Sequence, residues 1–104
     1  MTTDHDVVRL SVEGPIDIAT GGTLDVALGS CLAGRPRALV LDMSGVTFLA
    51  CAEASGLLQW WYRATKDKVR FGIVSPSPGV QRVLHAMRLD EVLVRTPSNV
   101  AGRT

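Results

Sequence analysis

The first half of the chain contains three stretches whose apolar pattern is typical of β-strands. Val7–Val12 alternates apolar and polar residues, which predicts a strand with one face in water. After a turn predicted at Glu13–Pro15, the short β-branched stretch Pro15–Ile18 predicts a second strand. Ala38–Met43 is almost continuously apolar, as expected of a central strand that is covered on both faces. These stretches predict a sheet with Ala38–Met43 at its centre.

Three further segments repeat apolar residues at helical spacing. The first helix is predicted to run from Thr20, its N-cap, to Gly34, and the second from Cys51 to Thr65. A third helix is predicted after Ser77 as N-cap, with Pro78 at the first helical position. The predicted inner faces are Leu24, Leu28, Cys31 and Leu32; Ala54, Leu57, Leu58, Trp61 and Thr65; and Val80, Val83, Leu84 and Met87.

Two later strands, predicted at Arg70–Ser75 and Val92–Arg95, complete the order β-β-α-β-α-β-α-β. A β-α-β step favours a right-handed crossover to a parallel neighbour. The first two strands are joined by a turn too short for a crossover, so strand one is expected to lie antiparallel at an edge. The predicted fold class is α/β: a mainly parallel sheet with an antiparallel N-terminal edge strand and helices packed against it.

Length and composition agree with one globular domain. The chain has 104 residues, of which 46% are hydrophobic and 20% charged, so residues 1–104 are expected to form a single domain. Its core is expected at about 7–95, between short polar arms at 1–6 and 97–104. Eleven basic residues face ten acidic ones with the signs interspersed, which argues against nucleic acid as a partner.

Nothing in the sequence predicts export or membrane insertion. The first six residues are acidic and polar, unlike a secretory leader, and no apolar run approaches the ~20 residues that span a bilayer. Two cysteines, Cys31 and Cys51, are expected to be free thiols, and the expected compartment is the cytoplasm. The oligomeric state is not predicted.

Residues suited to catalysis or to metal or nucleotide binding are sparse and isolated. The candidates are His5, His85, the Asp4-His5-Asp6 run, the Gly21-Gly22 pair and the carboxylates Asp17 and Asp42. His85 is expected to face solvent, and the glycine pair lacks a phosphate-binding pattern. Strand-end aspartates commonly cap the turn that follows them. We therefore expect no enzymatic activity, no cofactor and no metal site.

Two features could serve regulation or binding. Cys51 is expected at a helix N-terminus, where the dipole favours a thiolate, although free cysteine is often a small inert apolar residue. Trp60, Trp61 and Tyr62 cannot all face one core, so at least one of these rings is expected to be partly exposed. An exposed ring would favour a protein contact, and burial under a neighbouring loop is the alternative.

The stretch Leu39–Leu49, which reads LVLDMSGVTFL, resembles the signature strand and loop of the STAS domain, the fold of bacterial anti-sigma factor antagonists. Glu13–Ala19 resembles the second strand of that family, and Val74–Leu84 with Leu89–Leu93 resembles its last helix and strand. The similarity spans about Val7 to Arg95. It implies a non-catalytic regulatory module that binds an anti-sigma factor or a related regulatory kinase and so frees a sigma factor.

The chain departs from this family at its phosphoacceptor. The resemblance places the phosphorylated serine at Cys51, its neighbouring carboxylate at Ala50 and a glycine at Glu53, whose charge could imitate phosphate. Either the chain binds constitutively, controlled by abundance or by the Cys51 thiol, or a nearby hydroxyl is phosphorylated instead. Ser44, Thr47 and Ser55 are the candidate hydroxyls, and Ser55 is expected at the margin of the buried helix face, where a kinase would reach it poorly.

The resemblance also predicts the docking surface, namely a loop at 44–48 and the first half of the second helix. The predicted contact residues are Ser44, Gly45, Thr47, Phe48, Ala50, Cys51, Glu53, Ser55 and Gly56. Two other functions remain open: an accessory subunit that docks onto the ATPase of a lipid or anion transport complex, and a thiol-based redox sensor. Arg88 stands where the family often has glycine, so either that turn differs or the chain tolerates a strained arginine.

Overall fold

Three parallel strands and one short antiparallel strand form the sheet. The computed structural model describes residues 2–4 and 6–96. Its strands are β1 (Thr2–Asp4), β2 (Val7–Ile16), β3 (Ala38–Leu49) and β4 (Arg70–Val74); its helices are α1 (Ile18–Ala33), α2 (Cys51–Lys66), α3 (Pro78–Ala86) and α4 (Asp90–Leu93). The strands lie in the order β1-β2-β3-β4, with β1 antiparallel to β2 and the other pairs parallel. The predicted fold class is confirmed.

The predicted pair of strands before α1 is wrong, because Val7–Ile16 forms one strand. Gly14 adopts φ +82, a conformation that glycine reaches without steric cost. The β2–β3 register shifts on either side of it, between Ser11 and Glu13 and between Gly14 and Pro15. The expected turn is thus an irregularity within a continuous strand. The antiparallel edge strand is Thr2–Asp4, within the expected polar arm at 1–6, while the arm at 97–104 lies outside the described residues.

Helix α1 begins three residues earlier than predicted. Asp17 is its N-cap, and the Asp17 side chain accepts hydrogen bonds from the backbone N–H groups of Ala19 and Thr20. Thr20 is the third helical residue, and its hydroxyl accepts from the backbone N–H of Asp17, which completes a capping box. At the other end Gly34 has φ −78, and the next residue, Arg35, adopts the left-handed conformation at φ 48. The four residues of the predicted inner face are buried.

The predictions for the second half of the chain are mostly confirmed. Helix α2 begins at Cys51 as predicted, although Ala64 is buried in place of the exposed Thr65. Helix α3 has Ser77 as N-cap and Pro78 in its first turn. The predicted last strand, Val92–Arg95, is wrong: α4 occupies its first two residues, and Val94 makes a single bridge to Ile73. One helical turn directs both Leu89 and Leu93, four residues apart, into the core, where both are buried.

The main core lies between the helices and one face of the sheet. Leu39, Leu41 and Met43 of β3 pack in the cluster that contains the buried residues of all four helices. Ala38, Val40 and Val74 form a smaller cluster that contains no helical residue. The strands and helices begin and finish at two opposite ends of the fold, which we call the carboxyl end and the amino end. At the carboxyl end, β2 and β3 finish and α1 and α2 begin; at the amino end, β2, β3 and β4 begin in register and α1 and α2 finish.

Candidate protein-docking site

Asp42 organises the point at which β3 leaves its regular register. Its carboxylate accepts a hydrogen bond from the backbone N–H of Ser44 at 2.9 Å and pairs with the Arg9 guanidinium at 2.6 Å. Partial burial opposes ionisation of Asp42, but the hydrogen bonds from Ser44 and the contact with Arg9 outweigh it, so the pKa of Asp42 lies below its usual value. Asp42 therefore has a structural role, as the sequence predicted.

The segment predicted as a loop at 44–48 is the last part of β3. Val46 and Leu49 are buried, whereas Ser44, Gly45, Thr47 and Phe48 are exposed. The correction follows from the pairing with β2, which continues as far as Ile16 opposite Leu49 and holds the segment extended. Gly45 is required there, since a Cβ on it would lie only 2.9 Å from Cγ of Glu13.

Helix α3 supports this part of β3 from the core side. The Ser77 hydroxyl donates a hydrogen bond to the carbonyl oxygen of Val46 at 2.7 Å, and its oxygen accepts from the backbone N–H of Val80. The same residue thus caps α3 and fixes the strand. Phe48, two residues beyond Val46, is held with 54% of its surface exposed.

The start of α2 follows β3 directly. The backbone N–H of Ala50 donates to the carbonyl oxygen of Ile16 at 2.9 Å, which ties the helix start to the end of β2. Ala50 is the N-cap, and it offers no side chain to the N–H groups of the first turn. Cys51 and Ala52 are exposed there. The positive end of α2 is therefore presented to solvent beside a free thiol.

Glu53 is the acidic residue in the first turn of α2 and is partly buried. Its carboxylate occupies the space that a Cβ on Gly21 would need. Gly21 lies at the end of the first turn of α1 and is itself buried. The carboxylate therefore turns towards α1, an orientation that favours a structural role for Glu53 over the imitation of phosphate.

Ser55 and Gly56 complete the first half of α2. Ser55 is exposed, so the expectation that it would be poorly accessible is wrong. The reason is that the buried face of α2 is narrower than the sequence indicated: only Ala54, Leu57 and Ala64 are fully buried. Gly56 has open space where a side chain would project.

All nine residues of the predicted surface come from the end of β3 and the first turns of α2, so the fold brings them to its carboxyl end. Six of them are exposed, and Ala50, Glu53 and Gly56 are partly buried. The sequence missed Ile18, which is 86% exposed at the start of α1, two residues after the Ile16 carbonyl that binds Ala50. Recognition of Asp17 as the N-cap would have placed Ile18 at a helix start.

The other candidate residues do not assemble into a site. His85 is exposed on α3, as predicted, and its Nδ1 lies 2.9 Å from Asp90 Oδ2; this hydrogen bond is the main cause that lowers the pKa of Asp90. Cys31 is buried, which raises the pKa of its thiol, and neither Cys31 nor Cys51 is in a disulfide. No three metal-binding side chains converge among residues 2–4 and 6–96. The Asp4-His5-Asp6 candidate depends on His5, which lies outside the described residues.

Two further expectations concern the aromatic rings of α2 and the turn at Arg88. Tyr62 is 57% exposed, while Trp60 is partly buried and donates a hydrogen bond to Asp25 of α1 at 2.8 Å. Arg88 has φ 58, so the chain tolerates the strained arginine, at a cost of about 1 kcal/mol. No helix in the described part of the chain has the length and apolarity needed to cross a bilayer.

Comparisons with known proteins agree on one family. The STAS domain family matches residues 1–102. The chain is 38% identical over 93 residues to the anti-sigma-F factor antagonist RsfB of Mycobacterium tuberculosis, an alignment that covers 85% of this chain and 72% of that protein.

Solved structures give the same result. The crystal structure of an anti-sigma factor antagonist from Mycobacterium paratuberculosis superposes with a TM-score of 0.82 at 31% identity, covering 96% of this chain and 86% of the other. The STAS domain of a SulP transporter from Vibrio cholerae superposes with a TM-score of 0.68 at 17% identity, covering 95% and 80% respectively, and shares the fold alone.

Proposed function

Because this chain belongs to the STAS domain family, we propose that it is an anti-sigma factor antagonist: a non-catalytic module that binds a kinase-type anti-sigma factor and so frees a sigma factor. The names of the relative at 38% identity and of the solved structure at 31% identity support this role. The docking surface of the proposal is the set of nine predicted residues, extended by Ile18.

The observation that carries the proposal is the exposure of Phe48 beside the start of α2. Ile18 and Phe48 are 86% and 54% exposed, and both lie at the carboxyl end of the fold. Burying a large apolar side chain contributes roughly 1.5–3 kcal/mol, and aromatic anchors commonly dominate interfaces. A partner that covers Phe48 therefore gains substantial free energy from a single residue.

The polar groups around Phe48 restrict what a partner can present. The α2 N-cap has no side-chain acceptor, so the first-turn N–H groups suit a carbonyl or carboxylate oxygen from the partner. The nine residues include one ionisable carboxylate, Glu53, and no Lys or Arg. Glu13 and Asp17 add negative charge close by, since Glu13 pairs with Gly45 and Asp17 precedes Ile18. The complementary surface is accordingly apolar with a basic margin.

Regulation in this proposal differs from the family pattern. The resemblance to the family places Cys51 at the position of the phosphoacceptor serine, so in this proposal engagement is set by abundance or by chemistry at the exposed Cys51 thiol. Ser44, Thr47 and Ser55 are all exposed, so each of these hydroxyls is an alternative acceptor for a phosphate. A kinase assay distinguishes control without phosphorylation from phosphorylation of a nearby hydroxyl.

Cross-linking from the docking surface tests the partner class. A thiol-reactive photo-cross-linker is attached to Cys51 of the full chain. The labelled protein is irradiated in native cell extract, and the protein that it captures is identified by mass spectrometry. We expect an anti-sigma factor of the kinase type. Recovery of a transport ATPase without a sigma-factor regulator would favour the accessory-subunit alternative and contradict the proposal.

The matched control moves the same probe elsewhere on the same helix. In a Cys51→Ala, Tyr62→Cys variant the cross-linker sits at another exposed position, near the opposite end of α2. Capture of the same protein in equal yield from both positions would indicate nonspecific labelling and would contradict the assigned surface. Cys31 does not interfere, because it is buried.

A further inference from the structure

A second surface lies at the amino end of the fold, away from the proposed docking surface. An open cleft of about 480 Å³ is formed there by the end of α2, the turn into β4 and the start of β4. Trp61, Val69 and Phe71 contribute apolar lining, and Lys68, Arg70 and Arg95 contribute positive charge. The cleft therefore combines aromatic rings with three cations.

None of the three cations is paired with a carboxylate. In the part of the chain that the structure describes, no ion pair is formed by Lys68, Arg70 or Arg95. Arg95 donates from one guanidinium nitrogen to the carbonyl oxygens of Glu91 and Val94, which orients its side chain and leaves its charge uncompensated. Such a cluster favours an external anion.

Four of the eleven basic residues of the chain lie close together in sequence, at 63–70, with only Asp67 among them. The fold adds Arg35 and Arg37 to this group, because α1 also finishes at the amino end. The basic residues at the amino end, next to the strand starts and the helix ends, are Arg35, Arg37, Arg63, Lys66, Lys68 and Arg70. The described acidic side chains in the same region are those of Asp6 and Asp67. This end is thus basic although the whole chain carries a charge of only +1.

The turn after α2 places Lys68 at the rim of the cleft. Lys68 adopts φ 61 there, where glycine would avoid a cost of about 1 kcal/mol. The backbone of this turn therefore accepts a glycine at position 68.

We propose that this cleft binds an acidic peptide segment of a protein partner, with its carboxylates on Lys68, Arg70 and Arg95 and an apolar side chain against Trp61 and Phe71. The cleft is open to solvent, which suits a peptide better than a small ligand that needs enclosure. Nucleic acid fits less well, because Asp6 and Asp67 interrupt the basic region and repel a continuous phosphate backbone. Residues 97–104 contain no Asp or Glu, so their side chains do not supply the acidic segment.

The test is an NMR titration of the isotope-labelled full chain with a short peptide of alternating glutamate and leucine. We expect the backbone signals of Lys68–Phe71 and the indole signal of Trp61 to shift. A peptide with lysine in place of glutamate and a single-stranded oligothymidylate are the comparison ligands. Equal binding of the lysine peptide, tighter binding of the oligothymidylate, or shifts confined to other regions would each overturn the proposal.

Variants separate the cleft from general electrostatics. Lys68→Gly removes the charge and relieves the strained backbone, so it should weaken the glutamate peptide about threefold without unfolding the protein. The double variant with Arg70→Gln should weaken it about tenfold. Arg88→Gly is the matched control, because it also removes a cation at positive φ, after α3 and outside the cleft lining. Loss of affinity in Arg88→Gly equal to that in Lys68→Gly would contradict the assignment.

Discussion

The carboxylate of Glu53 in α2 lies against the Cα of Gly21 in α1 and fills the space that a side chain at position 21 would occupy. This contact joins the first turns of the two helices that flank the proposed docking surface. The absence of a side chain at Gly21 is what permits it. Glu53 is thereby explained as a packing residue that also places negative charge at the positive end of α2.

Substitution of Gly21 by alanine should reveal this contact. Alanine normally stabilises a helix interior by about 0.5–1 kcal/mol relative to glycine. In the wild-type background, Gly21→Ala should not raise the free energy of unfolding by this amount, because the new methyl group displaces the Glu53 carboxylate. In a Glu53→Ala background, the same substitution should raise the free energy of unfolding by about 1 kcal/mol. Urea unfolding of the four proteins of this cycle gives the coupling free energy.

Gly22→Ala is the control for this cycle, since a Cβ on Gly22 meets no atom within 4 Å. It should stabilise both backgrounds equally. Additive effects of Gly21→Ala and Glu53→Ala would contradict the assigned contact. Glu53→Gly should leave partner affinity unchanged, and a gain in affinity would instead support the imitation of phosphate.

Gly56 is expected to lower the stability of the protein and to leave space for the partner against α2. Nothing lies within 4 Å of the position of its missing Cβ, so Gly56→Ala should raise the free energy of unfolding by about 0.5–1 kcal/mol. If the partner approaches α2 closely at this point, the added methyl group should weaken binding about fivefold. Gly29→Ala, in α1, should give the stability gain with no loss of affinity. Equal affinities for both variants would remove Gly56 from the docking surface.

Acid should destabilise the protein partly through Asp42. Because the folded-state pKa of Asp42 is lowered, its contribution to stability is present above the unfolded pKa of about 3.9 and is lost as the pH falls through the lower folded value. Asp42→Asn should therefore reduce stability at pH 7 and flatten its decline in acid. Urea unfolding between neutral pH and about pH 3 measures both effects.

Arg9→Met separates the two partners of Asp42. It keeps the hydrogen bond from Ser44 and removes an arginine whose side chain is 43% exposed, so its effect should be smaller than that of Asp42→Asn. Parallel pH profiles for wild type and Asp42→Asn would contradict the assigned role of the carboxylate.

The proposed mode of regulation predicts the outcome of a kinase assay. Incubated with its partner kinase, ATP and Mg²⁺, the wild-type chain should acquire no phosphate, because position 51 offers a thiol. Cys51→Ser restores a hydroxyl at the exposed helix start and should be phosphorylated. Intact-mass measurement detects the product. A phosphorylated wild type that becomes unmodified in Ser55→Ala would show that regulation has moved to Ser55.

The sequence predicted well those elements whose local pattern and tertiary environment agree. Ala38–Met43 and α2 are long and strongly patterned, and both were placed correctly. The Glu13-Gly14-Pro15 run has the composition of a turn, and only the pairing of β2 with β3 shows that the strand continues through it. Thr20 and Asp17 are both suitable N-caps, so the start of α1 could not be decided from residue type alone.

The two surfaces differ in how far the sequence could predict them. The proposed docking surface is nearly continuous in sequence, since β3 leads directly into α2; only Ile18 comes from elsewhere. The basic cleft draws Lys68, Arg70 and Arg95 from segments that meet only because α4 and the residues after it return to β4. Lys68 and Arg70 are separated in sequence only by Val69, whereas Arg95 joins them only through tertiary structure.

Phe48 and Tyr62 provide the most direct test of the proposed docking surface, because both are aromatic and their exposures are nearly equal, at 54% and 57%. Calorimetric titration of the anti-sigma factor captured through Cys51 should show that Phe48→Ala weakens binding about tenfold or more. Tyr62→Ala should change the affinity less than about twofold. Equal affinities for the two variants, or a larger loss for Tyr62→Ala, would contradict the assignment of this surface.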